Sequence, residues 1–195
     1  GFYGLYMGSG TRNALIDRNR VHDSYAKDTT HQSLTFAIYG NAHAVAGGEN
    51  VITNNIVYNI KSDGIIQGIH INNYNHYRVY KNTVYIDHPG SNSSAITYGI
   101  QSRGATNNDI RNNNIYINRG GSGNKYCLYY ANAKISNYNN LYMNLAQPAS
   151  NIGYYGTGYA TLAAFSAASN TDANSMTHNP GFVSPNTGYL MPTST

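Results

Sequence analysis

Four residues recur at matched places in a repeated motif and carry side chains suited to proton chemistry and sugar contact: Tyr39, His70, Gln101 and Tyr129. Two positions further on stand Asn41, Asn72 and Arg103. An imidazole or a phenol can take a proton and return it, and a guanidinium can neutralise a carboxylate. Tyr39, His70 and Arg103 are therefore candidate catalytic residues for a metal-free elimination. One of them would remove the C5 proton of a uronate, one would protonate the leaving oxygen, and the cation would hold the carboxylate. Asn72, Gln101 and Tyr129 are candidate carbohydrate-binding residues, because amides and phenols exchange hydrogen bonds with sugar hydroxyls. The same positions also suit ordinary solvated residues on a strand face. The small residues Gly4, Ala37, Gly68, Gly99 and Cys127 precede this row and would leave the backbone open as a shallow trough.

Other chemistries lack their residues. A calcium cage needs about six to eight oxygen ligands, but the seven Asp and the single Glu49 do not align with one another along the repeats. A glycosidase needs two carboxylates on one face, and no such pair is visible. His43, His76 and His88 lack ligand spacing, and a single cysteine, Cys127, excludes a disulfide framework or a CxxC knuckle. No metal and no cofactor is expected. The 12 Lys and Arg residues are scattered along a chain of net charge +4, so no nucleic-acid footprint emerges. No apolar run approaches the ~18 residues of a membrane span. The opening residues Gly1-Phe-Tyr-Gly-Leu-Tyr-Met7 read as strand without a leader, as in a mature or excised piece.

The elements that would position these residues follow from spacing. A small-apolar-polar motif recurs as Gly4-Leu5-Tyr6, Ala37-Ile38-Tyr39, Gly68-Ile69-His70, Gly99-Ile100-Gln101 and Cys127-Leu128-Tyr129, with apolar members 33, 31, 31 and 28 residues apart. A second motif, apolar-x-x-Asn-x-apolar, runs Ile16 to Val21, Ile52 to Val57, Val79 to Val84 and Ile110 to Ile115, with a longer copy from Ile135 to Leu141. Two motifs sharing one period mark a structural repeat. Each is short, β-branched or aromatic and without helical spacing, so the pieces are strands. One repeat cannot bury its own apolar face, and successive repeats must stack in parallel. About five rungs result, spanning roughly 24 Å at ~4.8 Å each.

Strand parity points Leu5, Ile38, Ile69, Ile100 and Leu128 inward. By the same rule Tyr3, Phe36, Tyr98 and Tyr126, two places earlier, point inward, with Gln67 the exception in that row. Asn19, Asn55, Asn82, Asn113 and Asn139 are expected in turns, with left-handed backbone and side chains bonded from rung to rung. A further outward row, His22, Tyr58, Tyr85, Tyr116 and Tyr142, stacks ring on ring. It serves either as structure or as a carbohydrate-binding surface, through Tyr58, Tyr85, Tyr116 and Tyr142. The pattern stops after Asn144. Residues 145–160 read as loop, Thr161 caps a short helix over Leu162–Ala168, and His178 to Pro185 reads as turn and short strand. The chain thus divides into rungs over 1–144 and a capping segment over 145–195.

The repeats Ile52-Thr-Asn-Asn-Ile-Val-Tyr58 and Val79-Tyr-Lys-Asn-Thr-Val-Tyr85 resemble those of the right-handed parallel β-helix superfamily, which includes pectate lyases, alginate lyases and epimerases, and many surface proteins. Thr161-Leu-Ala-Ala-Phe165, Asp172-Ala-Asn-Ser175 and Asn179-Pro-Gly-Phe-Val183 are similar to the segment closing β-helix domains of large exported Bacteroidetes-type surface proteins. The resemblance implies an all-β fold, a right-handed parallel β-helix with a short helix-containing C-terminal cap, at the cell surface or outside the cell. Two functions stand side by side. One is a non-catalytic exported module, a rigid adhesin-like scaffold whose partners are polysaccharide or cell-surface glycan and the other modules of a larger assembly. The other is a polysaccharide lyase, epimerase or hydrolase working on the outer strand face.

Overall fold

In a computed structural model, which describes residues 1–25, 27–28, 30–90, 93–103, 106–132 and 134–192, the repeats wind into a parallel β-helix. Each rung gives one strand to each of three sheets. The first sheet holds β1 (Phe2–Met7), β4 (Thr35–Gly40), β7 (Ile66–Ile71), β10 (Thr97–Ser102), β13 (Lys125–Tyr130) and β16 (Ser150–Tyr155), all parallel, with β17 (Thr157–Tyr159) antiparallel at its end. The second holds β2 (Leu15–Asp17), β5 (Asn50–Thr53), β8 (Tyr77–Tyr80), β11 (Asp109–Arg111) and β14 (Ile135–Asn137). The third holds β3 (Arg20–Val21), β6 (Ile56–Val57), β9 (Thr83–Ile86), β12 (Asn114–Ile117) and β15 (Asn140–Met143). The first motif pairs in register, Leu5 with Ile38, Ile38 with Ile69, Ile69 with Ile100 and Ile100 with Leu128. Helix α1 (Leu162–Ser169) and a hairpin of β18 (Phe182–Ser184) and β19 (Tyr189–Pro192) complete the chain. No helix among the described residues is long and apolar enough to cross a membrane.

The core is a stack of aliphatic side chains. Ile38, Ile69, Ile100 and Leu128 come from the first sheet, Ile52, Val79 and Ile110 from the second, and Val57, Val84, Ile115 and Leu141 from the third, all fully buried. Only stacking can bury them, since each rung alone exposes both of its open sides. On the return from the third sheet to the first, buried cations tie turns together. Arg119 donates to Thr97 Oγ1, Ser62 O and Gly64 O, and Lys125 Nζ to the carbonyls of Gly121, Gly123 and Pro148.

The first-sheet strands break the alternation that parity assumes. Gly4, Ala37, Gly68, Gly99 and Cys127 are skipped in the pairing register, and the residues on either side resume it. Two neighbouring positions therefore both face the core: the small residue and the apolar residue after it. A Cβ on Gly99 would lie 2.5 Å from Ile115 Cγ2 and 2.6 Å from the Cys127 carbonyl oxygen, and one on Gly68 2.5 Å from Val84 Cγ1. The small residues are core positions and form no trough floor. The extra inward residue reverses the face of everything before it. Tyr3, Phe36, Tyr98 and Tyr126 accordingly point outward, against the expectation from strict alternation: Phe36 stacks on Tyr39 at 4.6 Å, and Tyr126 packs edge-on against Tyr129 at 5.6 Å.

The asparagine ladder is present and fully connected. Oδ1 of Asn55, Asn82, Asn113 and Asn139 each accepts from both the backbone N–H and the Nδ2 of the asparagine one rung before, at 2.9–3.1 Å. Its backbone differs from expectation. The left-handed residue is the one before each asparagine, namely Arg18, Asn54, Lys81, Asn112 and Tyr138, with φ of 54–58°. The ladder asparagines are selected for their amides. The last, Asn139, donates its Nδ2 to Asp172 Oδ1 and its backbone N–H to Ser175 Oγ, so the C-terminal segment stands in for a further rung.

Residues 145–160, expected as loop, contain the sixth first-sheet strand. Its inward place is Gly153, paired with Leu128, and the fully buried ring of Phe165 from α1 occupies the space where a side chain would be. Thr161 caps α1 as expected, its Oγ1 accepting from Ala164 N at 3.3 Å.

Candidate functional site

The outer face of the first sheet carries two columns of side chains running along the helix axis. The column nearer the strand starts is Tyr3, Phe36, Gln67, Tyr98 and Tyr126; the other is Tyr6, Tyr39, His70, Gln101, Tyr129 and Tyr154. Parallel in-register pairing places like positions on successive rungs directly above one another, about 4.8 Å apart. Ring contacts knit the columns: Tyr3 on Phe36 at 5.0 Å, Tyr6 on Tyr39 at 5.4 Å, Tyr98 on Tyr126 at 5.9 Å and Tyr129 on Tyr154 at 4.3 Å. Between these stretches the phenyl and phenol rings give way to Gln67, His70 and Gln101, which adjoin one another.

Above that interruption lies a depression of about 430 Å³, lined by Phe36, Tyr39, Gln67, His70, Asn72, Tyr98, Gln101, Arg103 and Tyr129 together with Leu34 and Ile65. Its floor is buried: Gln67 is 6% exposed, His70 4% and Gln101 3%. Aromatic rings form the walls, and Asn72 and the exposed Arg103 form a polar lip. A second depression of about 550 Å³ adjoins it, lined by Tyr3, Tyr6, Tyr39 and Asn41, with Tyr39 common to both. Amides join the two rims. Asn41 Nδ2 donates to Tyr6 Oη at 3.0 Å, and Asn41 Oδ1 accepts from Asn72 Nδ2 at 2.9 Å and from Tyr39 Oη at 3.3 Å.

The electrostatics of the floor follow from burial. His70 Nδ1 lies 2.6 Å from Gln101 Oε1, an acceptor, so Nδ1 carries the hydrogen and Nε2 the lone pair. Burial lowers the His70 pKa to about 4 against the opposing pull of the Gln101 bond, with the Arg103 charge adding to the depression. The ring is neutral at physiological pH. Burial and the neighbouring phenols Tyr6 and Tyr3 raise the Tyr39 pKa, so Tyr39 is a proton donor. Gln67 Oε1 has no hydrogen-bond partner among the described residues. No acidic side chain lines the depression, and Arg103 makes no ion pair among the described residues.

Of the candidate residues, Tyr39, His70, Asn72, Gln101, Arg103 and Tyr129 thus share one depression. The third-sheet row lies on a separate face and stacks in two runs rather than in the single ladder expected, His22 on Tyr58 at 4.7 Å, and Tyr85 on Tyr116 at 4.5 Å with Tyr116 on Tyr142 at 5.0 Å. There the C-terminal hairpin covers part of the row. Phe182 packs edge-on against Tyr85, and Gly188 sits against Tyr58, where its carbonyl accepts from Arg20 at 2.6 Å. Tyr58 and Tyr85 are buried, and only Tyr116 and Tyr142 keep open edges. Sequence reasoning missed Tyr3, Phe36, Gln67 and Tyr98 as site residues. The clue was the row of small residues ahead of each inward apolar residue, which marks two consecutive core positions. Among the described residues no three His, Cys, Asp or Glu side chains come close enough to hold a metal ion. No protein-family model, no curated protein and no solved structure matches this chain.

Proposed function

We propose that this chain is a glycan-binding β-helix module of an exported, cell-surface protein, a rigid scaffold whose binding surface is the outer face of the first sheet. One observation carries the reading: two columns of outward rings broken at one point by a depression with a buried polar floor. Sugars present apolar C–H faces and polar edges together. Flat rings receive the first, and amides, an imidazole and a guanidinium receive the second. The likeness of the repeats to the right-handed β-helix superfamily, and of the C-terminal segment to exported Bacteroidetes-type surface proteins, supports a setting among other modules outside the cell. Retention on immobilised polysaccharides tests it. Tyr129→Ala and Arg103→Ala should lower retention while Tyr142→Ala leaves it unchanged. The reverse order would move the binding face to the third sheet, and retention on no glycan would remove the reading.

A second reading is favoured by His70 itself, a buried neutral imidazole with one nitrogen anchored, in the same depression as a phenol and an exposed guanidinium. In a polysaccharide lyase, His70 Nε2 would take the C5 proton of a uronate while Arg103 holds its carboxylate. The C5–H electron pair would become the C4–C5 double bond as the C4–O bond breaks, and the Tyr39 phenol would protonate the leaving oxygen. Ultraviolet absorbance of unsaturated products reports this directly. Product that forms with the wild type and not with His70→Gln supports it, and retention without any product refutes it.

A further inference from the structure

We propose that the two adjoining depressions are consecutive subsites for a single glycan chain that runs along the β-helix axis, from the tyrosine cluster at Tyr3 and Tyr6 into the His70 depression. The inference rests on the glycan-binding reading and adds to it a direction, a length requirement and a division of labour between subsites.

The first support is spacing. Along the second column the ring centroids step 5.4 Å from Tyr6 to Tyr39 and 5.0 Å from Tyr39 to His70. A rung advances about 4.8 Å, comparable to one pyranose repeat in an extended glycan. A chain laid along the axis keeps register with the column, one sugar to a rung, whereas a chain laid across the strands leaves the face after one ring. The second support is continuity. Tyr39 belongs to both depressions, and the chain of bonds from Tyr6 Oη through Asn41 to Asn72 fixes one rim along both. A rim already held by hydrogen bonds loses little freedom when a ligand arrives.

The third support is a difference in chemistry. The cluster of Tyr3, Tyr6, Tyr39 and Asn41 contains no charged side chain. It suits the C–H face of a sugar. The His70 depression has a floor that hydrogen-bonds and a guanidinium at its lip. In its floor Gln67, more than nine-tenths buried, holds a carbonyl oxygen that has no partner among the described residues. The terminal torsion of glutamine is soft, so turning this amide offers the acceptor to a sugar hydroxyl. The first subsite therefore contributes affinity through stacking, and the second selects the sugar by its polar groups and charge.

The test uses the full chain with two oligosaccharide series, a neutral β-1,4-glucan and an anionic α-1,4-galacturonan, each from monosaccharide to hexasaccharide, with affinity read by calorimetry. In at least one series affinity should rise with each added unit up to the trimer or tetramer. Tyr6→Ala should remove about two- to tenfold of that gain, the worth of a stacked ring. Tyr6→Phe, which keeps the ring, should retain most of the gain. Arg103→Ala should weaken the galacturonan series more than the glucan series. Affinity independent of length, or an equal loss at every length in Tyr6→Ala, would overturn the two-subsite arrangement while leaving glycan binding in place. Absence of binding to either series, and to a broader glycan array, would remove the glycan reading and this inference with it. Tyr6 is exposed, so unchanged circular dichroism and melting of its variants confirm that folding is not the variable.

Discussion

Replacing Asn82 by Ala tests how the turns between the second and third sheets are held. Asn82 is 1% exposed and stands in the middle of the ladder. Its Oδ1 accepts from Asn55 N at 3.0 Å and Asn55 Nδ2 at 2.9 Å, and its Nδ2 donates to Ile52 O at 2.9 Å and Asn113 Oδ1 at 3.1 Å. Truncation removes all four bonds. Two partners keep another bond: Asn113 Oδ1 still accepts from Asn82 N at 3.0 Å, and Asn55 Nδ2 still donates to Ile16 O at 3.0 Å. The Asn55 backbone N–H, however, loses the acceptor it had and stays buried. Leaving such a group unpaired costs about 1–3 kcal/mol, and the three other lost bonds add about 0.5–1.5 kcal/mol each, so the total is about 2.5–7.5 kcal/mol. For a chain of this length that corresponds to a melting temperature lower by roughly 5–30 °C. Asn19 is the control, since its Nδ2 donates to Asp17 O and Asn55 Oδ1, it is half-buried, and no group among the described residues donates to its Oδ1. Asn19→Ala should cost about 1 kcal/mol or less. Urea unfolding followed by circular dichroism measures both. Equal losses in the two variants would refute the view that ladder position sets the cost.

The His70 pKa of about 4 lies below its ordinary value of ~6.5, so the folded state resists protonation. Its contribution is complete above pH ~6.5 and is lost as pH falls toward ~4, by about 3 kcal/mol, and burial shifts His88 in the same direction. His70→Gln should flatten the fall in urea midpoint across that window, and an unchanged slope would contradict the assignment. Gln101→Glu puts a carboxylate on His70 Nδ1 and should raise the His70 pKa, read by proton NMR titration; a value still near 4 would break the inferred pairing. Gly99→Ala forces a methyl group against Ile115 and the Cys127 carbonyl and should cost about 1–3 kcal/mol. Wild-type stability in that variant would restore the outward trough that strict alternation implied.

The architecture was legible in the sequence because a parallel β-helix writes itself as a period. Each rung makes the same demand at the same place, so Leu5, Ile38, Ile69, Ile100 and Leu128 announce the core, and Asn19, Asn55, Asn82, Asn113 and Asn139 announce the turn. The gathering of Tyr39, His70, Asn72, Gln101, Arg103 and Tyr129 on one surface follows from the same repeat, since residues one period apart must be neighbours. Three things needed the tertiary structure. The outward turn of Tyr3, Phe36, Tyr98 and Tyr126 depends on two consecutive core positions, and whether a small residue lies over the core or over solvent is set by side chains from another sheet, Val84 and Ile115. The sixth first-sheet strand lacks the motif because Phe165, from a helix further along the chain, supplies the side chain that Gly153 does not. The burial of Tyr58 and Tyr85 is decided by a hairpin about a hundred residues or more away, beyond the reach of any local pattern. The sequence by itself determined the repeat, because parallel stacking couples like positions; the tertiary structure decided which face of each strand is open, because that depends on what packs against it.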